Sequence, residues 1–484
     1  MHLATSGRRE AKHPGADGCS YVLGRMETHM RAVITSGALT ILLATAAPPW
    51  VGAQAAPVGT PAETVLHCGS LLDTAAGAMR GESTIIIAGD RVTEVRPGAA
   101  DRAPLEKAAK QRGAAIQFVD LAGLTCLPGL IDSHAHLTMQ FSPTFYSERF
   151  RLNPADYAIR STLYARRTLL AGFTTVRNLG DVNNESIALR NAINAGVVPG
   201  PRMFVAGRPI GSTGGHADPT NGFRLDLEGD PGPNIAIING PDDAWKAVRQ
   251  HYKDGVDLIK IMPSGGVLDE GLNGENPQLS QAEIEAAVAA AHDYGFAVAA
   301  HAHGAEAIRR AVIGGVDSIE HGTFADDADI ALMKQHGTWF VPTIIAGETV
   351  AEKAAVPGYY PPQVAAKAAA IGPRILATAG RVYRGGVKIA FGTDAAVFPH
   401  GENAHEFALM VKAGMPPLFA IQAATTHAAE LLRQQGKLGV VAPGSFADII
   451  AVQGDPTTDV TRLENVSFVM KAGRTYKLDG KPAE

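Results

Sequence analysis

Five short apolar stretches of the chain end in side chains of the kind that build metal sites. Leu130-Ile131-Asp132-Ser133 runs into His134-Ala135-His136, and Asp257-Leu258-Ile259 ends at Lys260. Phe296-Ala297-Val298-Ala299-Ala300 ends at His301, with His303 beyond. Asp317-Ser318-Ile319-Glu320 ends at His321, and Ile389-Ala390-Phe391-Gly392-Thr393 ends at Asp394. Side chains alternate along a strand, so His134 and His136 point the same way. A single histidine after an apolar strand is ordinarily a satisfied rim residue. The same arrangement at one strand end after another would need independent accidents, so it predicts one shared metal site. Imidazole and carboxylate suit zinc and neighbouring transition metals.

These residues need a frame that brings strand ends together. Residues 126–432 alternate strands with helices. The strands are expected at 126–133, 173–178, 202–207, 257–262, 296–301, 317–320, 338–342 and 388–392. Helical patterns cover 155–171, 241–253, 280–294 and 304–314, and Ser280-Gln281-Ala282-Glu283 has capping-box spacing. That strand count closes a barrel, so the α/β fold expected is a (β/α)8 TIM barrel with its chemistry at the C-terminal strand ends. Segments 56–125 and 433–484 carry short β-branched runs separated by Gly-Asp or Gly-Arg turns. Together they predict a small β-sandwich domain built from both chain ends.

Composition narrows the partners. The chain has 43 Lys+Arg against 48 Asp+Glu, a net charge of −5, so it lacks the basic surplus that nucleic-acid binding uses. With 46% hydrophobic and 19% charged residues it is globular. Three cysteines exclude a disulfide scaffold. Residues 1–55 differ from the rest. Met30-Arg31, an apolar run from Ala38 to Ala47 and Ala53-Gln54-Ala55 read as a signal peptide, with translation starting at Met1, Met26 or Met30. The run is shorter than the roughly 20 apolar residues of a spanning helix. The mature chain is then expected to begin near Ala56, without a membrane span, in a periplasmic or secreted location. Cys68 and Cys126 read as two buried thiols, since pairing would require neighbouring strands to carry them.

The chain resembles the amidohydrolase superfamily. The resemblance rests on Pro128-Gly129-Leu130-Ile131-Asp132-Ser133-His134-Ala135-His136, Gly172-Phe173-Thr174-Thr175-Val176-Arg177, Ser318-Ile319-Glu320-His321-Gly322-Thr323, Phe391-Gly392-Thr393-Asp394 and the run Gly439–Asp448. Within that superfamily it is similar to the dipeptidase-like branch, near imidazolonepropionase-type proteins, which includes Xaa-Pro and Xaa-Arg/Lys dipeptidases and ochratoxin-hydrolysing enzymes. The resemblance implies two divalent ions, zinc by expectation. It places one on His134, His136 and Asp394 and the other on His301 and His321. Lys260, in Leu258-Ile259-Lys260-Ile261-Met262-Pro263, would bridge them as a carbamate. It implies a metal-bridging hydroxide as nucleophile, with Asp394 as the acid–base group that finally protonates the leaving amine. The reaction implied is cleavage of an amide bond next to a free carboxylate, in a dipeptide, an N-acyl amino acid or ochratoxin A.

The remaining polar residues carry weaker signals. His216, in Thr213-Gly214-Gly215-His216-Ala217-Asp218, is a candidate catalytic and substrate-binding residue, and His303 a second substrate contact. His400 and His405 are further candidates for the cavity wall. Asp132 would orient the first-strand ligands or cap a turn, and Glu320 should face away from them as a structural residue. A homo-oligomer is expected. The alternative activity is a cyclic-amide hydrolase or a deaminase of the same superfamily. Deaminase-like relatives carry an acidic residue shortly after the fifth-strand histidine, and His301-Ala302-His303-Gly304-Ala305-Glu306 has no close match.

Overall fold

A computed structural model describes residues 62–271 and 273–483. The signal-peptide reading of 1–55 lies outside the described residues. Among these, no helix is long and apolar enough to cross a membrane.

The described chain begins with β1 (Ala62–Asp73), β2 (Ala78–Arg80), β3 (Ser83–Ala88), β4 (Arg91–Pro97) and β5 (Ala115–Pro128). β1 runs antiparallel to β3, with Leu66 opposite Ile85, and parallel to β5. Gly69 sits at the bulge in β1, where any Cβ would overlap the Ala122 carbonyl. This pairing corrects the reading of the cysteines: Cys68 and Cys126 form a disulfide, with Cα atoms 5.9 Å apart. Adjacency of β1 and β5 brings them together, and that adjacency is a long-range pairing no local pattern announces.

The expected strand at 126–133 is two strands. β5 ends at Pro128, and the barrel begins with β6 (Leu130–Ala135). Between them the Gly129 amide donates to the Asp448 carbonyl, and a Cβ at Gly129 would overlap Thr174. The apolar pattern continues across this break, which hides it in the sequence. β7 (Phe173–Asn178) and β8 (Arg202–Val205) follow, then a short pair, β9 (Gly211–Ser212) and β10 (Ile237–Ile238). β11 (Ile259–Ile261), β12 (Val298–Ala302), β13 (Ser318–His321) and β14 (Trp339–Val341) complete the parallel set.

These strands form two parallel sheets, β6-β7-β8 and β11-β12-β13-β14. Backbone hydrogen bonds join them on both sides. Asp257 N donates to Val205 O (2.8 Å) and Ile210 N to Lys260 O (2.8 Å). On the other side Phe340 N donates to Lys388 O, Ser133 N to Phe391 O and Asp394 N to His134 O, at 2.7–2.8 Å. Segment 388–392 thus occupies the eighth position, but as an isolated bridge between Phe340 and Ile389 rather than a regular strand. Phe391 N turns instead to Ala423 O. The helices fall close to expectation, at Pro154–Leu170, Pro241–Asp254, Gln281–Asp293 and Ala305–Ile313, with the Ser280/Glu283 capping box formed.

The chain ends in β15 (Ile449–Gln453), β16 (Val466–Lys471), β17 (Arg474–Leu478) and β18 (Lys481–Pro482). β15 pairs antiparallel with β5, so both chain regions build one nine-stranded sheet, ordered β18-β17-β16-β15-β5-β1-β3-β4 with β2 on β1. The sheet curls on itself: Val92 N donates to Ser445 O and Ala447 N to Asp90 O. Leu66, Ile85 and Val92 from one region bury against Ile449, Phe468 and Met470 from the other.

Candidate metal centre and substrate cavity

The strand-end histidines line one cavity of about 580 Å³ together with Lys260 and Asp394. Neighbouring rings are packed at 4.7–5.3 Å between centroids for the pairs His134–His136, His134–His321, His301–His303 and His301–His321. Each ring is held by one nitrogen. His134 Nδ1 donates to Glu320 Oε2 (2.9 Å), and His136 Nδ1 to Gly180 O (3.0 Å). His301 Nε2 donates to Gly265 O (3.1 Å). The Nδ1 atoms of His303 and His321 lie 2.8 and 2.7 Å from the hydroxyls of Thr323 and Thr343. Holding one nitrogen fixes the ring and leaves the other as a lone-pair donor, the pattern of metal-ligating histidine.

The charge states suit ligation. Burial pushes His134 down to about 4 and His303 to about 3, and it drives His301 and His321 well below the ordinary histidine value. Neutral imidazole is the form that binds metal. Asp394 Oδ1 lies 3.5 Å from His134 Nε2 and 3.2 Å from His136 Nε2. Ligand atoms of these three residues all fall within 4.8 Å of one another, a fit for one ion. Burial raises the Asp394 carboxyl, but His134, His136 and Lys260 hold it below its ordinary value.

Lys260 is 1% exposed and lines the same cavity. Among the described residues no carboxylate lies within ion-pair distance of its amine. A rim lysine in a salt bridge is therefore not what the fold builds. Burial brings its amine down to about 8. The donor set fits a metal centre, with an unpaired buried amine where a second anionic ligand would be required.

Glu320 departs from its expected outward placement. It lies inside the barrel, accepting from His134, from Arg177 Nη2 (2.8 Å) and from Ser318 Oγ (2.5 Å). Alternation along β13 puts Ser318 and Glu320 on the same inward face. His321 reaches the mouth because its φ of 69° turns the strand end. Asp394 has a φ of 61°, and such left-handed backbone in residues other than glycine costs on the order of 1–3 kcal/mol. Asp132 accepts from His134 N, Thr393 N, Thr393 Oγ1 and Asn403 Nδ2, tying β6 to the segment that carries Asp394.

His216 is 19% exposed at its side chain and firmly placed. Its Nδ1 lies 2.5 Å from Asp269 Oδ2, and its ring sits 4.5 Å from that of His301. Lys367 holds Asp269 from the other side at 2.9 Å. His303 also lines the cavity, whereas His400 and His405 do not. His400 is buried against Tyr164 and Met139 O, and His405 is on the surface 3.5 Å from Glu464. Sequence reasoning assigned no role to Asp269, Thr343 or Arg208, which reach the cavity from loops with no recognisable local pattern. It quoted Arg177 within a motif without assigning it a role. An apolar wall of Phe141, Tyr146, Phe223 and Leu268 was also illegible.

The chain belongs to the amidohydrolase family, whose model matches residues 125–476. Ochratoxinase of Aspergillus niger is 31% identical over 372 residues, 73% of this chain and 76% of that protein. The crystal structure of a Xaa-Pro dipeptidase with bound methionine in its active site is 45% identical. It aligns with a TM-score of 0.82 over 86% of this chain and 100% of that one. A prolidase complexed with N-methylphosphonate-L-proline is 32% identical, with a TM-score of 0.76 over 86% and 100%. The protein is thus a hydrolase of carbon–nitrogen bonds with a TIM barrel and a β-rich domain.

Proposed function

We propose that the protein hydrolyses an amide bond next to a free carboxylate, in a dipeptide, an N-acyl amino acid or an aryl amide of phenylalanine such as ochratoxin A. The observation that carries this reading is the convergence of neutral, one-sidedly held histidines, Asp394 and the unpaired Lys260 amine on one cavity. The similarity to an ochratoxinase and to a Xaa-Pro dipeptidase supports the substrate class.

His134, His136 and Asp394 would hold one divalent ion, and His301 and His321 a second, with zinc the expected metal. Lys260, as the carbamate formed when its neutral amine adds carbon dioxide and loses a proton, would serve both. Bound divalent ions supply Lewis acidity, polarising a carbonyl and lowering the pKa of water. Asp394 takes the proton of the attacking water and delivers it to the departing amine nitrogen, because an amine leaves poorly unprotonated. His216, oriented by Asp269, is placed to donate to a substrate oxygen. The apolar wall of Phe141, Tyr146, Phe223 and Leu268 would receive an apolar part of the substrate.

Elemental analysis should find about two divalent ions per active chain, the number a binuclear site needs. Amine release should be seen from dipeptides ending in Pro, Arg or Lys, from N-acyl amino acids or from ochratoxin A. One ion per active chain, with turnover only on ring substrates, would move the reading to the cyclic-amide hydrolases or deaminases.

A further inference from the structure

The cavity wall outside the histidine cluster carries further charged side chains, and the acidic ones are held by hydrogen bonds or ion pairs. Asp181 accepts from Ser186 and Asn184 N, and Glu185 from Asn183. Asp218 accepts from Gly214 N and Thr220, and Asp269 holds His216 and Lys367. Arg149 pairs with Glu270 at 2.7 Å. Arg208 lines the same cavity, and among the described residues no carboxylate lies within ion-pair distance of it.

Its guanidinium is nevertheless fixed. Nε donates to Val182 O at 2.6 Å, and the Arg208 carbonyl lies 2.7 Å from His251 Nε2. Val182 belongs to a turn pinned by Asp181 N to Gly207 O and by Asn184 Nδ2 to Asp254 Oδ2. With Nε held, the two terminal nitrogens keep their donors, and a planar fork with free terminal donors matches a carboxylate two-for-two. Pro209, the next residue, abuts Gly180, whose carbonyl holds His136. Arg208 thus shares one cavity with His134, His136 and Asp394, and its backbone neighbour adjoins the turn that holds His136.

The geometry points to Arg208 as the group that binds the free carboxylate of the substrate, on the carbon attached to the amide nitrogen. This rests on the amide-hydrolase reading and specifies how the cavity selects its substrates: acids are accepted and their neutral counterparts are discriminated against. Arg208 acts in binding, so its contribution appears chiefly in KM.

The test uses metal-loaded full chain with N-benzoyl-L-phenylalanine and N-benzoyl-L-phenylalaninamide, as turnover substrates and as calorimetric ligands. Wild type should prefer the acid. Arg208→Gln should raise KM and Kd for the acid by about 10- to 100-fold, the range for a lost charge-assisted contact. It should leave kcat and the amide nearly unchanged, and Arg208→Lys should retain part of the preference. Equal treatment of acid and amide by wild type, or an equal loss for both in Arg208→Gln, would overturn the assignment. If wild type hydrolyses neither compound yet binds the acid more tightly, and Arg208→Gln loses that difference, the proposed reaction fails while the carboxylate site stands.

Discussion

Neighbouring carboxylates in the barrel are driven in opposite directions by their surroundings. Burial pushes Asp132 up to about 6, despite the bonds it accepts from Thr393 and Asn403. Burial also raises Glu320, but Arg177 and His134 outweigh it and bring it to about 2. Glu320 therefore stays anionic and keeps the proton on His134 Nδ1, leaving the Nε2 lone pair free for the ion that it would share with His136 and Asp394. A residue that must accept a proton cannot be an amide. Asp394→Asn should lower turnover by at least about 10²–10⁴-fold, with a smaller fall in metal content. Near-normal turnover with full metal would pass the proton-transfer role to His216 or His303. For Lys260, an amine near 8 is about a tenth neutral at pH 7, far above the fraction for an ordinary lysine. Lys260→Arg should abolish activity and lose bound metal, because guanidinium stays charged and forms no carbamate. A fully active Arg variant would contradict the bridge.

Elements bring these residues together by leaving regular geometry at their ends. β13 turns at His321, and the segment after β14 meets it with Thr343 at a φ of 53°. Thr343 stands at the start of the helix Ile344–Ala354, whose first amides, Ile344 N and Ile345 N, donate to the buried Glu406 carboxyl. The hydroxyl that holds His321 thus adjoins a helix start capped by Glu406, from the helix His405–Lys412 that follows the eighth barrel segment. Thr343→Ala should weaken metal retention by about 10- to 100-fold in dialysis against a chelator, the usual cost of losing a partner behind a ligand. Thr343→Ser should retain the metal nearly as wild type does. Equal retention by Thr343→Ala would mean His321 is positioned by packing alone.

At the scale of the whole molecule, the sheet built from both chain ends is closed by its pairing and by one covalent link. The Cys68–Cys126 bridge spans 58 residues, and for a loop of that size the chain-entropy model gives roughly 4 kcal/mol. Reductant should lower wild-type stability in denaturant by about 2–4 kcal/mol and leave the Cys68→Ala/Cys126→Ala double variant unmoved. No response to reductant would return the pair to free thiols. A disulfide persists in an oxidising compartment, the location that the signal-peptide reading expects. N-terminal sequencing of exported material should then begin near Ala56, and residues 30–50 still attached would contradict processing there.

The sequence by itself determined the barrel, because apolar strands at repeated spacing, each followed by a helical pattern, have few ways to bury both. It also determined the metal-site candidates, because His134, His136, Lys260, His301, His321 and Asp394 each follow an apolar strand and the barrel carries them to one cavity. What it left open depends on contacts between segments far apart in the chain. The inward placement of Glu320 follows from strand register and the reach of His321 from its positive φ, and neither leaves a mark in residue type. The disulfide depends on β1 and β5 being neighbours. The pairing of Asp269 with His216, and the lack of a carboxylate partner for Arg208 among the described residues, exist only once loops from different barrel segments meet around the cavity. Local chemistry is written residue by residue, whereas the direction a side chain faces, and which charge is left without a partner, are properties of the packed whole.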